Sequence, residues 1–489
     1  MFELLQMNKL NFKIPRSKKF LLFLVSFLIG CIFSFFLSPP RQVLYFALIS
    51  FIVLIFLISD SKIFLLSLFF SSFILGVIFT QTYTIYFLKP INFGASEKRI
   101  IVYDLPIQKN KTQKIKAKDD EGKYLIYTDL YPLYNYGDEL KISGNVEKPP
   151  SDLGFDYESY LERYGIQGII YYPEISKIGE NKGNVVIKYL IKLKISFVAS
   201  IRKSMSYPES ALSSAILIGN REDMPDSLNQ NFKSVGLSHI VAVSGYNITI
   251  VIAIIWLILR YFGRKTAFIL TSLISLLFVL LTGAESSIVR GAVIAEILLI
   301  ARFLGRKPNS TIFIFLAAFL MVMLNPLILK SDIGFRLSFF AFIGLVYLSP
   351  LLQEKISSRI PEIIKNPLTE TLSAQIFTLP ILLTISKQIS LFSILANILI
   401  LPIIPLSMLV GFIQGIFGMI SPLLGQILGW FNWMLMSYII NLSNFFASIK
   451  TLSFKFEFGI ILSLIYYLIL IFWIWRKNKI ISNEKNKNT

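Results

Sequence analysis

The sequence predicts a polytopic α-helical membrane protein, about 12 spans in all, with an inserted extracytoplasmic small β-barrel that is OB-like. Of the 489 residues, 54% are hydrophobic, and long apolar runs recur along most of the chain, as in proteins with many membrane spans. One polar stretch, residues 89–184, instead shows short alternating runs separated by glycine and proline. That pattern is typical of a small β-barrel.

Composition excludes several classes of site. The chain has one histidine, His239, and one cysteine, Cys31, so neither a multi-histidine metal centre nor an intrachain disulfide can form. The only Gly-Lys pair, at Gly122, lacks the flanking residues of a P-loop. The net charge of +19 fits basic cytoplasmic loops under the positive-inside rule. We therefore predict no catalytic residue, no metal and no cofactor in this chain.

Residues 1–88 are predicted to form a basic segment and three membrane spans. Lysines and arginines precede an apolar run at 20–37, and two further runs cover 43–58 and 63–88. The positive-inside rule keeps the amino terminus in the cytoplasm. The chain therefore emerges outside after the third span.

Residues 89–184 are predicted to form the outer barrel. The strand-like runs are 99–105, 114–118, 124–128, 139–146 and 168–172. Such barrels often bind single-stranded nucleic acid through basic grooves and aromatic platforms. Candidate stacking faces are Tyr124 and Tyr127, and candidate phosphate contacts are Lys111, Lys114 and Lys116. The alternatives are ordinary tyrosines of a half-buried sheet and a solvated lysine hairpin.

Three further regions follow the barrel: an amphipathic interfacial helix at 185–205, a transmembrane channel domain at 206–475 and a basic cytoplasmic tail at 476–489. Basic residues spaced among apolar ones predict the interfacial helix. Within the channel domain, the apolar run at 391–419 is interrupted by Pro402 and Pro405. Two full crossings there would place the basic tail outside, so we predict one broken or re-entrant helix.

Three polar motifs are predicted to lie at the outer ends of the fourth, sixth and eighth spans. Their candidate residues are His239, Ser244, Tyr246 and Asn247 in the first, Glu285, Ser287 and Arg290 in the second, and Asp332, Arg336 and Ser338 in the third. Ionisable residues within spans are costly and usually face a water-filled interior. Guanidinium groups suit phosphodiester oxygens. The motifs therefore predict one shared vestibule.

Each motif also has a structural alternative. The two arginines can snorkel to the interface or form ion pairs. Acids available for such pairs are Glu285, Glu296 and Asp332. The Ser-Gly step at Gly245 is typical of close packing against another span. A hydrolytic dyad of His239 and Ser244 is disfavoured, because a spacing of five separates two side chains around a helix axis.

At these residues the sequence resembles the ComEC family of competence proteins. The matching segments are 154–165, 217–236, 239–247, 287–290 and 332–338. The chain departs from the family at Asn247, where many members have a histidine; any role of that histidine is either performed by Asn247 or absent here. Long members also carry a carboxy-terminal metallo-β-lactamase-like domain, which we do not expect in this chain.

The resemblance implies an inner-membrane channel for transforming single-stranded DNA in a bacterium, with both termini in the cytoplasm. The implied partners are single-stranded DNA, the lipid bilayer, a separate DNA receptor and a cytoplasmic motor. A separate nuclease would perform any degradation of the other strand. A transporter or flippase of an anionic lipid or polysaccharide is the alternative, since it too would need outer arginines and a broken helix.

Overall fold

The computed structural model describes residues 15–57, 60–88, 91–109, 111–150, 156–241, 245–306, 309–356, 360–386, 388–390, 392–449, 453–455 and 459–487. Contacts divide the chain into two compact units. We call the first the barrel unit; it comprises Met1–Pro106, Asn110–Lys182 and Arg306–Asp332. We call the second the helical unit; it comprises Ile107–Lys109, Gly183–Gly305 and Ile333–Thr489.

The fold is mostly helical. The helices up to residue 241 are α1 (Arg16–Phe33), α2 (Arg41–Leu57), α3 (Ser61–Phe87), α4 (Tyr157–Glu162), α5 (Val185–Ser204), α6 (Glu209–Ile218), α7 (Asp226–Ser234) and α8 (Ser238–Val241). Those that follow are α9 (Gly245–Leu259), α10 (Arg264–Leu281), α11 (Ser286–Phe303), α12 (Ser310–Leu324), α13 (Ile328–Ser331), α14 (Ile333–Tyr347), α15 (Ser349–Lys355), α16 (Glu362–Ser386), α17 (Phe392–Ile400), α18 (Ile404–Ile420), α19 (Pro422–Ser448) and α20 (Ile460–Lys487).

The strands are β1 (Gly94–Val102), β2 (Ile107–Lys109), β3 (Thr112–Lys118), β4 (Lys123–Asp129), β5 (Glu139–Glu147), β6 (Ile166–Tyr171), β7 (Glu174–Gly179), β8 (Gln388–Ser390) and β9 (Ser453–Lys455). Five of them close into a barrel. β1 pairs with β3, β3 with β4, β4 with β6, β6 with β5, and β5 again with β1; only the pair of β4 and β6 is parallel. The predicted small β-barrel is therefore confirmed.

Alternating side chains from the closed strands fill the barrel core. Fully buried members are Ile100, Ile115, Tyr124, Ile126 and Leu140. A second, smaller apolar cluster joins α4 to the outer face of β4 and β6 through Leu125, Leu161 and Ile169. The period-two pattern that predicted the strands thus places one face of each strand in the core.

Helices α1, α3 and α12 pack together within the barrel unit. A Cβ atom on Gly30 would lie 2.0 Å from the carbonyl oxygen of Phe73, and one on Gly76 would lie 2.2 Å from that of Phe27. Only glycine allows the backbones of α1 and α3 to approach this closely. On the other side of α1, the rings of Phe27 and Phe319 are 4.9 Å apart.

The helical unit has its own core, built from α5 to α11 and α17 to α19. The predicted helix at 185–205 is present as α5. Its second half packs against α18 and α19, where Phe197 and Ile201 are buried, whereas its first half exposes Val185 and Tyr189. Its position at a membrane interface stays a prediction.

Within the described residues, α3, α10 and α19 are long and apolar enough to cross a membrane. Two bent pairs also qualify when each is taken together: α14 with α15, bent by 43°, and α17 with α18, bent by 48°. The second bend falls at residues 401–403, which include Pro402, so the predicted break within 391–419 is confirmed. The count of 12 spans stays a prediction.

Candidate functional site

The first two polar motifs meet where α9 packs against α11. Gly245 and Gly291 face each other, and a Cβ atom on Gly291 would lie 2.3 Å from the Cα of Gly245. A Cβ there would also lie 2.5 Å from the side chain of Ile248. Gly245 therefore packs closely against a neighbouring helix, as the structural alternative for this residue expects.

Asn247 connects α9 to α6. Its side chain is 2% exposed, and its Nδ2 donates a hydrogen bond to the carbonyl oxygen of Ile216 over 3.0 Å. His239 is exposed, and its Nδ1 lies 3.2 Å from the carbonyl oxygen of Gly236. Ser244 and the side chain of Tyr246 lie outside the described residues. Asn247 thus has a structural contact that the sequence does not predict.

Glu285 stands at the start of α11 and pairs with an arginine from the loop after α6. Its Oε2 lies 3.4 Å from the Nη2 of Arg221, with both side chains about two-fifths exposed. The same loop is tied to α5 by an ion pair of Asp223 with Arg202. Because both Glu285 and Arg221 are solvent-accessible, this contact contributes little to stability.

The two arginines of the predicted vestibule differ in exposure. Arg290 is 6% exposed and lies beside the glycine contact, whereas Arg336 is exposed on α14. Ser287 and Ser338 are half-buried. Since α11 packs against α14, the second motif lies on a helix next to the one that carries Arg336 and Ser338 of the third motif. Of the two guanidinium groups, that of Arg336 is the accessible one.

Asp332 belongs to the barrel unit and forms a buried ion pair. Its Oδ2 lies 3.1 Å from the Nη1 of Arg163, and the side chains are 7% and 9% exposed. Asn325 also donates to the carbonyl oxygen of Arg163 over 2.9 Å. The acid therefore pairs with an arginine next to α4, a partner that the sequence analysis does not predict, and its burial favours a structural role.

Arg163 ends a row of aromatic contacts along the outside of the barrel. Its guanidinium carbon lies 4.7 Å from the ring of Tyr164 and 5.1 Å from that of Tyr160. The row continues from Tyr160 to Tyr157, whose rings stack at 6.0 Å, and Tyr157 meets Tyr127 through hydroxyl oxygens 3.3 Å apart.

The other end of this row is open to solvent. The rings of Tyr127 and Tyr171 stack at 5.3 Å and 16°, the Nζ of Lys114 lies 5.5 Å from the Tyr127 ring, and Tyr171 is 43% exposed. We call Lys114, Tyr127 and Tyr171 the aromatic strip. It offers a flat ring face beside a cation, the combination that stacks bases and contacts phosphates.

The other candidate DNA-contact residues on the barrel differ in burial and in pairing. Tyr124 is fully buried in the barrel core. The prediction that it offers a stacking face is therefore wrong, because a base could reach it only by opening the barrel. Lys116 pairs with Asp104 at 2.6 Å, so part of its charge is already neutralised, whereas Lys111 is exposed.

Burial raises the pKa of three tyrosines of the row. It raises the pKa of Tyr157 to about 12, with the hydroxyl of Tyr127 adding to the effect. Burial likewise raises the pKa of Tyr171 and, most strongly, that of Tyr164. Ionisation of these three hydroxyls therefore requires a higher pH than ionisation of a free tyrosine.

Comparison with known proteins places the helical motifs in a family. A family model described as competence protein matches residues 216–479, more than half of the chain. The chain belongs to the ComEC family of competence proteins. It is 28% identical over 286 residues to ComE operon protein 3 of Bacillus subtilis (strain 168), an alignment covering 57% of this chain and 36% of that relative. The chain thus spans little more than a third of this curated relative. No solved structure matches it.

This ComEC-family chain also has a buried polar network that the sequence analysis missed. Gln414 of α18 donates to the hydroxyl of Ser204 over 2.8 Å and accepts from Asn432 of α19 over 2.7 Å. Asn432 also donates to Ser213 over 3.0 Å. The available signal was the presence of two amide side chains inside otherwise apolar runs. Such groups hydrogen-bond across helices within a bundle.

Proposed function

We propose that this protein is a membrane channel for the uptake of single-stranded DNA during natural competence, in the plasma membrane of a bacterium. The observation that carries the proposal is the competence-family match over residues 216–479, which contains all three polar motifs. The helical unit conducts the strand, and both termini lie in the cytoplasm. A separate receptor, motor and nuclease act outside this chain.

The barrel is proposed to be OB-like and to receive the strand. Its closed strands follow the order first, second, third, fifth, fourth, with a parallel pair between the third and fifth. In OB-folds the second and third strands carry the oligonucleotide-binding face. Here those strands are β3 and β4, which hold Lys114 and Tyr127 of the aromatic strip. This agreement supports the aromatic strip as the receiving surface.

In the helical unit, Arg336 is proposed as the phosphate contact. Its exposure lets its planar fork meet a phosphodiester, whereas the burial of Arg290 beside Gly291 favours a packing role. The helix is broken between α17 and α18, and irregular backbone at membrane depth is tolerated where it lines a wet cavity. We propose that this bend faces the DNA path.

The test uses a naturally competent strain that lacks the gene and carries variants of Arg336. Lysine keeps the charge and removes the bidentate fork, and alanine removes both. We expect transformation to fall in the order wild type, R336K, R336A, by about tenfold or more for alanine, which corresponds to loss of about 1.4 kcal/mol or more per contact. Protein abundance should stay normal, and labelled DNA should accumulate outside the membrane.

The matched control is Arg290, which lies five residues after Glu285 and is buried. R290A should lower protein abundance, because it removes a packed side chain from the contact of α9 with α11. Normal abundance and normal transformation in R336A would remove Arg336 from the path. Normal transformation in a strain lacking the whole gene would overturn the proposed function.

A further inference from the structure

Four exposed cations lie where α9 ends, α10 begins and α11 ends. We call Arg260, Arg264, Lys265 and Arg302 the basic cluster. The Nη2 of Arg264 donates to the carbonyl oxygen of Arg302 over 2.7 Å and also to that of Phe303, so the start of α10 is joined to the end of α11. In the part of the chain that the structure describes, none of the four cations forms an ion pair with an acid. The positive charge of the cluster is therefore not balanced there.

Helix stability explains Arg264 but not Lys265. Arg264 satisfies backbone carbonyls at the end of α11, which lack partners within that helix. Lys265 lies in the first turn of α10, where the helix dipole disfavours a cation and where no acid compensates it. Its side chain makes no polar contact with any other described residue. The ammonium group of Lys265 is thus exposed to a ligand from outside the chain.

An exposed aliphatic stripe runs along α10 from Lys265. It consists of Ile269, Leu273, Leu276 and Leu280, whose side chains are 38% to 61% exposed. These residues follow Lys265 by 4, 8, 11 and 15 positions, a spacing that places all of them on one face of a helix. The helix is one of those long and apolar enough to cross a membrane. Lys265 therefore stands at one end of a surface suited to lipid chains.

The neighbouring helix ends add aliphatic surface beside the basic cluster. Leu257 and Ile258, in the last turn of α9, and Leu304, directly after α11, are each more than half exposed. A soluble acidic partner would pair with the cations and leave these side chains uncovered. An amphiphile with a negative headgroup covers both, because its chains lie against the apolar surface while its headgroup meets the cations.

The loop between α9 and α10 carries two exposed rings. Tyr261 is 78% exposed and Phe262 is 71% exposed. The guanidinium carbon of Arg260 lies 5.2 Å from the centre of the Tyr261 ring, so one face of that ring is already occupied by a cation. Aromatic side chains at the ends of apolar helices are typical of the membrane–water interface. The rings therefore favour a lipid over a stacked nucleic-acid base.

We propose that the basic cluster binds an anionic phospholipid. Its phosphate group contacts Arg260, Lys265 and Arg302, and its acyl chains lie along the stripe of α10. Guanidinium and ammonium groups form strong, charge-assisted hydrogen bonds with phosphate oxygens. Under the positive-inside rule this end of the helices faces the cytoplasm, so the lipid belongs to the inner leaflet. This inference rests on the proposed placement of α10 across the plasma membrane, and not on DNA as the substrate.

The test is native mass spectrometry of the purified full-length protein with phosphatidylglycerol and with phosphatidylcholine of identical acyl chains. We expect the wild type to retain phosphatidylglycerol more than tenfold more tightly. K265Q should weaken its retention about fivefold, the contribution of one cation near an anionic lipid, and R260Q/K265Q should bring it close to that of phosphatidylcholine. Retention of phosphatidylcholine should not change. Arg264 is left intact because it holds the end of α11.

The matched control is Lys233, an exposed lysine on α7 of the same unit. K233Q should leave the retention of both lipids unchanged, and gel filtration checks that every variant is folded. Ile269→Ser, which changes only the stripe, should weaken both lipids because their chains are identical. Equal retention of the two lipids by the wild type would overturn the proposal, as would equal losses in K233Q and K265Q.

Two further outcomes identify a different ligand and would overturn the lipid site. In the first, R260Q/K265Q weakens binding of a single-stranded oligonucleotide and leaves phosphatidylglycerol retention unchanged, which assigns the basic cluster to nucleic acid. In the second, R336A loses the lipid and K265Q keeps it, which places the lipid at the outer motifs, as the flippase alternative predicts. Because retention is measured without DNA, normal transformation in a strain lacking the gene would remove the proposed function and leave the lipid site standing.

Discussion

The two ends of the aromatic row on the barrel differ in what surrounds their cations. At one end, Arg163 lies between two tyrosine rings and pairs with Asp332, and both charged side chains are less than a tenth exposed. At the other end, Lys114 lies over the ring of Tyr127, whose partner Tyr171 is 43% exposed. The first cation is paired with a buried acid inside the protein, whereas the second lies over an aromatic ring at a half-buried position.

This difference shows why residue type alone does not identify a binding site. Both ends combine a cation with tyrosine rings, and either combination can bind a nucleic acid. They differ in exposure: a buried ion pair holds two segments of the chain together, whereas a half-buried cation beside an exposed ring leaves part of its surface to solvent. The two ends should therefore respond to mutation in different assays.

The largest effect on stability is expected at the end of the aromatic row where Arg163 is buried. Arg163→Ala leaves the carboxylate of Asp332 buried without its partner, which in such pairs costs about 3–5 kcal/mol. We expect a clear loss of protein abundance and of thermal stability for the purified full-length protein. The exchanged pair R163D and D332R in one chain should restore part of the loss.

The matched control is an exposed ion pair of the same barrel. Lys141 and Glu97 lie 2.5 Å apart but are 44% and 61% exposed, so K141A should change stability by less than about 1 kcal/mol. If R163A were as stable as K141A, the buried pair would contribute no more than a surface contact. The proposed difference between a structural cation at one end of the aromatic row and a ligand-binding cation at the other would then be contradicted.

The sequence predicted the barrel better than it predicted the partners of its charged residues. Alternation of apolar residues is a local signal, and it located all five closed strands within a few positions of where they lie. The partner of Asp332 could not be predicted in this way, since Arg163 is far away in the sequence and only the folded chain brings the two together. Local alternation also gave no means to choose which tyrosine faces inward, so Tyr124 was assigned to the wrong side.

In the helical motifs, too, the sequence did not predict the contacts of the candidate residues. Residue type identified Arg290 and Arg336 as unusual within apolar runs, but it did not show which of the two side chains would be buried and which exposed. That distinction depends on the neighbour of each helix: Gly245 meets Gly291, and Arg290 is buried beside that contact. Exposure of Arg336 follows from its position on α14. Contacts between helices are non-local, and a single sequence does not reveal them.

An intermediate effect is expected in the aromatic strip. Tyr127→Ala and Tyr171→Ala each remove one ring of the stacked pair, and loss of a base-stacking ring costs about 1–3 kcal/mol. We expect binding of a labelled single-stranded oligonucleotide to the purified protein to weaken by about 5- to 150-fold, measured by fluorescence anisotropy. Thermal stability should change much less than in R163A.

Two control variants distinguish loss of base stacking from a general effect on folding. Tyr127→Phe keeps the ring and removes only the hydroxyl contact with Tyr157, so its affinity should stay near that of the wild type. Tyr131→Ala removes a tyrosine that is 73% exposed and lies after β4, outside the aromatic strip. If Y131A weakened binding as much as Y127A, the strip would not be the preferred surface. Tighter binding of anionic lipid vesicles than of DNA would favour the flippase alternative.

The smallest effect is expected for the single cation of the strip. Lys114→Ala removes one phosphate contact, so affinity should fall only a few-fold at moderate salt, and the slope of log affinity against log salt should decrease by about one. Lys116→Ala is the internal comparison. Because Lys116 already pairs with Asp104 at 2.6 Å, its removal should change the slope less. The difference between the two salt slopes measures how much an ion pair within the protein reduces the contact of a lysine with DNA. Arg163, which is paired with an acid, differs from Lys114 in the same way. Equal slopes for the two variants would show that pairing within the protein does not decide which cations of this barrel contact DNA.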